Sequence, residues 1–318
     1  MPTPTLSETL HARQRLNQCI RAFFAARDVL EVETPILSMA GTTDPSIESF
    51  VTQYQYAADP GPRWLRTSPE FFHKRLLAAG SGAIYELGKV FRNGELGPRH
   101  NPEFTMLEWY RPGFDESTLR AEIIDLLHSC AAAFDRKLPP VESLSFAQLF
   151  QRHADLDPFL ASTEQLVARA ASLGAVGDLD RDAALDLLRS LVIEPALDPE
   201  SALFVTDFPP SQAALARLKP GHPPTAARFE LYLGRLELAN GYHELTDADE
   251  QRRRFAVDAQ VRHQRAQPAV AIDEHFLAAL AAGLPDCSGV ALGVDRLLCW
   301  LLGVVALDTA LPFAFPVA

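Results

Sequence analysis

The segment 86–111, ELGKVFRNGELGPRHNPEFTMLEWYR, constrains this chain more than any other because it reads as strand, loop, strand. The first strand is predicted over 84–92 and ends in Phe91-Arg92-Asn93. Gly94, Gly97 and Pro98 then mark a turn around the polar run Arg99-His100-Asn101. The return strand, 103–110, has a period of two, so Phe104, Met106, Glu108 and Tyr110 share one face while Thr105, Leu107 and Trp109 share the other. A guanidinium at the end of one strand, with aromatic rings and a carboxylate on the next, can hold a phosphate, stack a base and fix a cation. A hairpin whose charges are only solvated has the same composition.

Length and charge narrow the choice of partner. A chain of 318 residues that is 47% hydrophobic can bury a large core. Its formal charge of -12 argues against a surface built to coat a polyanion, because nucleic-acid binding rests on neutralising phosphates with Lys and Arg. Cys19, Cys130, Cys287 and Cys299 form no C-x-x-C pair and no zinc pattern, so they are expected to be buried thiols in a reducing compartment. The N-terminal residues lack an apolar signal core, and the longest apolar run, 297–307, is too short to span a bilayer. A cytoplasmic protein with no membrane partner is expected.

Along the chain, residues 7–26 carry Leu6, Leu10, Leu16, Ile20, Phe23 and Phe24 near helical spacing, with Ser7 as the expected cap. An alternating strand over 29–37 follows, and Pro35 assigns it to an edge or interface. Residues 64–70 read as a strand delivering the turn Ser68-Pro69-Glu70 to a helix over 71–79. An amphipathic helix is predicted over 115–137, and 154–199 reads as an Ala-rich, acidic helical insertion covering the sheet. Residues 204–210 form a short strand ending in prolines, and 229–240 two strands around Gly234. Glu230, Glu237 and Glu244 recur at a spacing of seven, which an exposed acidic sheet also produces. In 287–297 a glycine-punctuated strand runs into a helix whose first turn holds Arg296, a phosphate site on physical grounds. His100 and His243 are read as hydrogen-bonding props.

Three of these stretches together resemble the class II aminoacyl-tRNA synthetases of the lysyl subgroup. Arg92-Asn93 with His100-Asn101-Pro102-Glu103-Phe104-Thr105-Met106 and Glu108 is similar to motif 2, the helix and strand ending in Pro35 to motif 1, and Ala-Leu-Gly-Val-Asp-Arg at 291–296 to motif 3, Gly-x-Gly-x-Asp-Arg, with Ala291 where the lysyl enzymes usually have Gly. The resemblance covers about 8–300. It implies an α+β fold with an antiparallel sheet flanked by helices, a single catalytic domain over 1–318 with the insertion at 154–199, and no OB anticodon-binding domain. A homodimer through motif 1 is also implied. GYHELTDADEQRRRF and PDCSGVALGVDRL resemble the stand-alone paralogues that aminoacylate elongation factor P, which makes that protein the expected acceptor and tRNA an unexpected one.

The resemblance also assigns roles. Lysine or (R)-β-lysine would be held by Ser68, Pro69, Glu70, Glu108, Tyr110, Asn240, Tyr242, Glu244 and Ala291. ATP would be held by Arg92, Asn93, Gly94, His100, Asn101, Phe104, Glu237, Leu238, Gly293 and Arg296, with Arg92 and Arg296 catalytic, and Mg2+ by Glu230 and Glu237. Gly94 stands where the family usually has Glu, and either Glu95 replaces that contact or it is lost. Two rival readings stay open: the same chemistry on another acceptor, and a catalytically inactive regulator.

Overall fold

The computed structural model describes residues 4–55 and 60–318. They form two compact units, Met1–Lys137 with Leu245–Ala318, and Leu138–Glu244.

In the first unit four strands lie side by side in the order Leu30–Glu31, Ile84–Phe91, Glu103–Pro112 and Cys287–Gly293. The two inner pairings are antiparallel and the edge pairing is parallel. Alternation along 103–110 behaves as predicted. Leu107 and Trp109 point into a core closed by the helices Leu6–Ala25 and Glu116–Ala133. There Phe24 stacks on Tyr85 at 4.4 Å and meets the edge of Trp109, whose indole N–H donates to Glu122. Glu108 and Tyr110 point to the opposite face, beneath the helix Glu70–Ala78. Phe71 of that helix stacks at 4.5 Å on Phe276 of the helix Glu274–Gly283, which fixes its position.

Two boundaries differ from the sequence reading. The first helix is capped by Thr5, not Ser7, because Glu8 completes a reciprocal capping box with Thr5. Of the strand expected over 29–37 only Leu30–Glu31 and Leu37–Ser38 pair, in separate sheets. Between them the Thr34 carbonyl accepts from the Arg66 guanidinium and Pro35 has no N–H to offer, so the ladder cannot continue. Leu37–Ser38, Gly61–Leu65 and Val51–Tyr54 make a small three-stranded antiparallel sheet.

The second unit is a sheet in the order Val141–Ser145, Ala202–Phe208, Thr225–Leu233, Leu236–His243, parallel at the first pairing and antiparallel at the others. The helical stretch expected at 154–199 resolves into Thr163–Ala171, Arg181–Leu188 and a π-turn, Arg189–Ile193, leading to Glu194–Ala196. Leu166, Ala170, Leu185, Leu188 and Ile193 pack with Leu203, Val205, Phe208 and Tyr232 in one apolar cluster.

Candidate active site

The register of the first unit puts Glu86, Glu108 and Ala291 in one row across three adjacent strands. Two buried carboxylates directly opposite each other are destabilising unless cations and donors compensate them. They do here. Glu86 accepts from Arg66 at 2.7 Å, Thr34 at 2.6 Å and His73 at 3.0 Å. Burial pushes its carboxyl up, but His73, Arg66 and Thr34 outweigh that and hold it at about 2. Gly88 is required beside this pair, since a Cβ there would meet the Arg66 guanidinium at 2.5 Å. Glu108 accepts the hydroxyl protons of Ser68 at 2.6 Å and Tyr110 at 2.9 Å.

Ser68 also accepts from the Glu70 N–H, so the turn Ser68-Pro69-Glu70 is tied to Glu108, with Pro69 at the N-cap of the following helix. Glu70 receives Lys74 at 2.6 Å; burial raises its carboxyl and Lys74 opposes the shift. Ser68, Glu70, Glu108, Tyr110 and Ala291 therefore lie close together. His73, Arg66 and Thr34 were missed. A count of the hairpin register, which sets Glu86 against Glu108, is the signal that points to a buried cation there.

In the loop after Ile84–Phe91, the Arg92 guanidinium lies 5.2 Å from the centroid of Phe104 and 3.8 Å from Glu95, and its Nε is buried without a hydrogen-bond partner. Gly94 adopts φ +81 in open space, and Glu95, next along, is the carboxylate that faces Arg92. Partial desolvation, then Arg296, Arg92 and Arg99, lower the pKa of His100, with Glu95 opposing. A neutral imidazole among three guanidinium groups is a locus that favours an anion. Asn93 is exposed and its backbone N–H donates to Glu48. Asn101 differs from expectation: its amide donates to the Glu103 carbonyl and accepts from the Phe315 N–H, so it scaffolds the loop.

Gly293 caps the helix Val294–Leu302, with Arg296 in its first turn. Asp295 in the same turn accepts the Thr105 N–H at 2.7 Å and pairs with Arg13, binding this helix start to the hairpin and the N-terminal helix.

In the second unit Glu230 stands opposite Asn240 and Arg228 opposite Tyr242; a bulge then sets Tyr232 against Glu237. Glu230 does not fit the cation role assigned to it. Arg189 reaches both its oxygens at 3.0 and 2.8 Å, Arg228 reaches one at 2.5 Å and the Tyr232 hydroxyl the other at 2.9 Å. Burial pushes this carboxyl up, but the two guanidinium groups outweigh it and the net shift is down. These four contacts occupy the lone pairs of the carboxylate, and two fixed positive charges leave no favourable field for Mg2+. Among the described residues no group of three or more His, Cys, Asp or Glu is arranged to hold a metal. Asn240 donates to the Tyr242 hydroxyl and accepts from Arg228. Leu238 is buried in its strand, Glu244 is fully buried, and Tyr242 is half-buried.

The family model for class II tRNA synthetases (D, K and N) matches residues 1–316, and the chain belongs to that family. It is also similar to proteins that are each named elongation factor P--(R)-beta-lysine ligase. That of Haemophilus influenzae strain PittGG is 47% identical over 311 residues, 96% of this chain and 95% of the relative. That of Pasteurella multocida strain Pm70 is 48% identical over 310 residues, 96% and 94%. That of Salmonella paratyphi B strain SPB7 is 48% identical over 303 residues, 92% and 91%. Among the described residues no helix is long and apolar enough to cross a membrane.

Proposed function

We propose that this chain is an ATP-dependent ligase that activates (R)-β-lysine, or lysine, as an adenylate and transfers it to the ε-amine of a lysine on elongation factor P. The observation that carries the reading is the buried Glu108 carboxylate, pre-oriented by Ser68 and Tyr110 in one row with Ala291. An ammonium leaving water needs such a partner to offset its desolvation. The high identity to ligases of that name supports the acceptor and the amino acid.

In the first step the substrate carboxylate attacks the α-phosphorus of ATP, forming an O–P bond as pyrophosphate leaves. Arg92 and Arg296 spread the charge of the triphosphate, Phe104 stacks the adenine, and neutral His100 accompanies them. In the second step the acceptor amine attacks the activated carbonyl, AMP leaves, and an amide remains after loss of a proton. The protein acts by positioning and electrostatics, and no covalent nucleophile is needed. For Glu70, Glu237, Asn240, Tyr242 and Glu244 we propose the lysyl-type roles, with Glu244 facing an ammonium of the substrate. Mg2+ is expected with the nucleotide, but no step is routed through Glu230.

The acidic balance of the chain supports a protein acceptor over tRNA. Exposed Leu6, Leu10, Leu30, Ile36, Leu37 and Met39, all in the motif 1 region, support a homodimer. The test is ATP–pyrophosphate exchange with α-lysine, (R)-β-lysine and no amino acid, followed by addition of elongation factor P. Exchange and a mass increase of one lysyl residue are expected. No exchange with any lysine overturns the reading.

A further inference from the structure

His73 lies on the buried side of the helix Glu70–Ala78, fully enclosed, between two carboxylates. Its Nε2 is 3.0 Å from Glu86 and its Nδ1 is 3.5 Å from the Glu108 oxygen that also accepts the Tyr110 hydroxyl. Tyr110 meets the imidazole edge-on at 5.5 Å. The other charges around it are Arg66, bound to Glu86, and Glu70 with Lys74 on its own helix.

We propose that His73 is a positioning residue for amino-acid recognition: as an imidazolium it bridges Glu86 and Glu108 in the free enzyme, and an ammonium arriving at Glu108 releases its proton. The inference rests on the reading above, in which Glu108 receives that ammonium.

Charge balance gives the reason. With His73 protonated, Arg66 and His73 match Glu86 and Glu108, and this wall of the pocket is neutral when empty. A substrate ammonium would then leave one uncompensated positive charge in a region sealed from water, where such a charge is poorly screened. Losing the His73 proton restores neutrality. The Glu108 contact is the one that yields: Nε2–Glu86 is a normal hydrogen bond, whereas Nδ1 lies 3.5 Å from Glu108, buried and without a hydrogen-bond partner, and that Glu108 oxygen keeps the Tyr110 donor. Burial favours the neutral ring, but Glu108 and Glu86 outweigh it and raise His73 above its ordinary value. Amino-acid binding and His73 protonation are therefore antagonistic, and by linkage the amino acid binds less tightly as pH falls through the His73 pKa.

The test is exchange kinetics between pH 6 and 9 for the full chain and His73→Gln. In the wild type KM for the lysine substrate should rise as pH falls, by up to tenfold per pH unit, while KM for ATP stays flat. In His73→Gln the acid limb should vanish. Glu70, the other buried group that titrates upward, is intact in that variant, so a limb that survives assigns the effect to Glu70 and overturns the proposal. Calorimetry of lysine binding to the wild type in two buffers of different ionisation enthalpy decides the matter if His73→Gln does not fold. Proton release is expected, and none overturns the proposal. A wild type that exchanges with no lysine fails at the ligase reading, and the His73 inference falls with it. Normal exchange with a pH-independent KM overturns the inference alone.

Discussion

Ala291 lies directly opposite Glu108 across the antiparallel pair Cys287–Gly293 and Glu103–Pro112. Residues so paired share a face with their Cβ atoms about 4.5–5.5 Å apart. The Ala291 methyl thus stands beside the carboxylate proposed to receive the substrate ammonium. One carbon in such a place is worth about 1 to 3 kcal/mol of discrimination between substrates. Ala291→Gly should raise kcat/KM for α-lysine relative to (R)-β-lysine by about tenfold or more. An unchanged ratio in exchange assays would remove Ala291 from the pocket wall.

The hairpin was legible because its information is local. Alternation over 103–110 separates Leu107 and Trp109 from Glu108 and Tyr110, and it is the packing that places the first pair against the helices Leu6–Ala25 and Glu116–Ala133 and the second beneath the helix Glu70–Ala78. Glycine and arginine at the start of the helix Val294–Leu302 were likewise readable from spacing alone. What was hidden is compensation at a distance. Nothing near Glu230 in sequence announces Arg189, which arrives from a π-turn 41 positions away. His73 reads in sequence as one more residue of the helix over 71–79, and only the register of Glu86 against Glu108 places it between two carboxylates. The expected strand over 29–37 failed for a related reason: the Thr34 carbonyl is committed to Arg66, a partner supplied by the chain 32 residues later.

Arg92 presents a buried Nε with no hydrogen-bond partner, beside the aromatic ring of Phe104. An orphaned guanidinium donor in a loop shared with Arg99 and His100 is suited to a phosphate that develops charge during adenylation. Arg92→Ala should lower the exchange rate by about 10²- to 10³-fold, the usual cost of removing one aimed donor. Thermal unfolding should barely move, because the side chain is half-exposed and its pairing with Glu95 at 3.8 Å is weak. Exchange near the wild-type rate would refute the assignment.

Asp258 bears on stability through pH. Burial first, then Asp44, raises its carboxyl to about 6 against Thr43, Arg254 and Arg262, which lower it. An acid whose folded pKa lies above its unfolded one binds its proton more tightly when folded. Its contribution therefore falls as pH rises from about 4 to about 6 and is flat above. Asp258→Asn keeps an oxygen for the Thr43 hydroxyl, now 3.0 Å away. It should stabilise the chain at pH 7 by about 1 kcal/mol, allowing for screening of a partly exposed group. The gain should disappear at pH 4, and urea unfolding at the two pH values measures it.

Glu230 separates a structural carboxylate from a metal ligand. Arg189 and Arg228 converge on it from the π-turn and from its own strand, and each retains only a small exposed fraction. Removing one member of a buried ion-pair cluster leaves the others uncompensated at a cost of about 3–5 kcal/mol. Because both guanidinium groups keep some contact with water, Glu230→Gln should cost about 3 kcal/mol of unfolding free energy. The amide preserves the shape and still accepts from Tyr232, so the folded fraction can be assayed below the lowered melting temperature. Its exchange activity should then show the same Mg2+ midpoint as the wild type. A midpoint raised tenfold with stability intact would instead make Glu230 a cation ligand and require Arg189 and Arg228 to move aside when nucleotide binds.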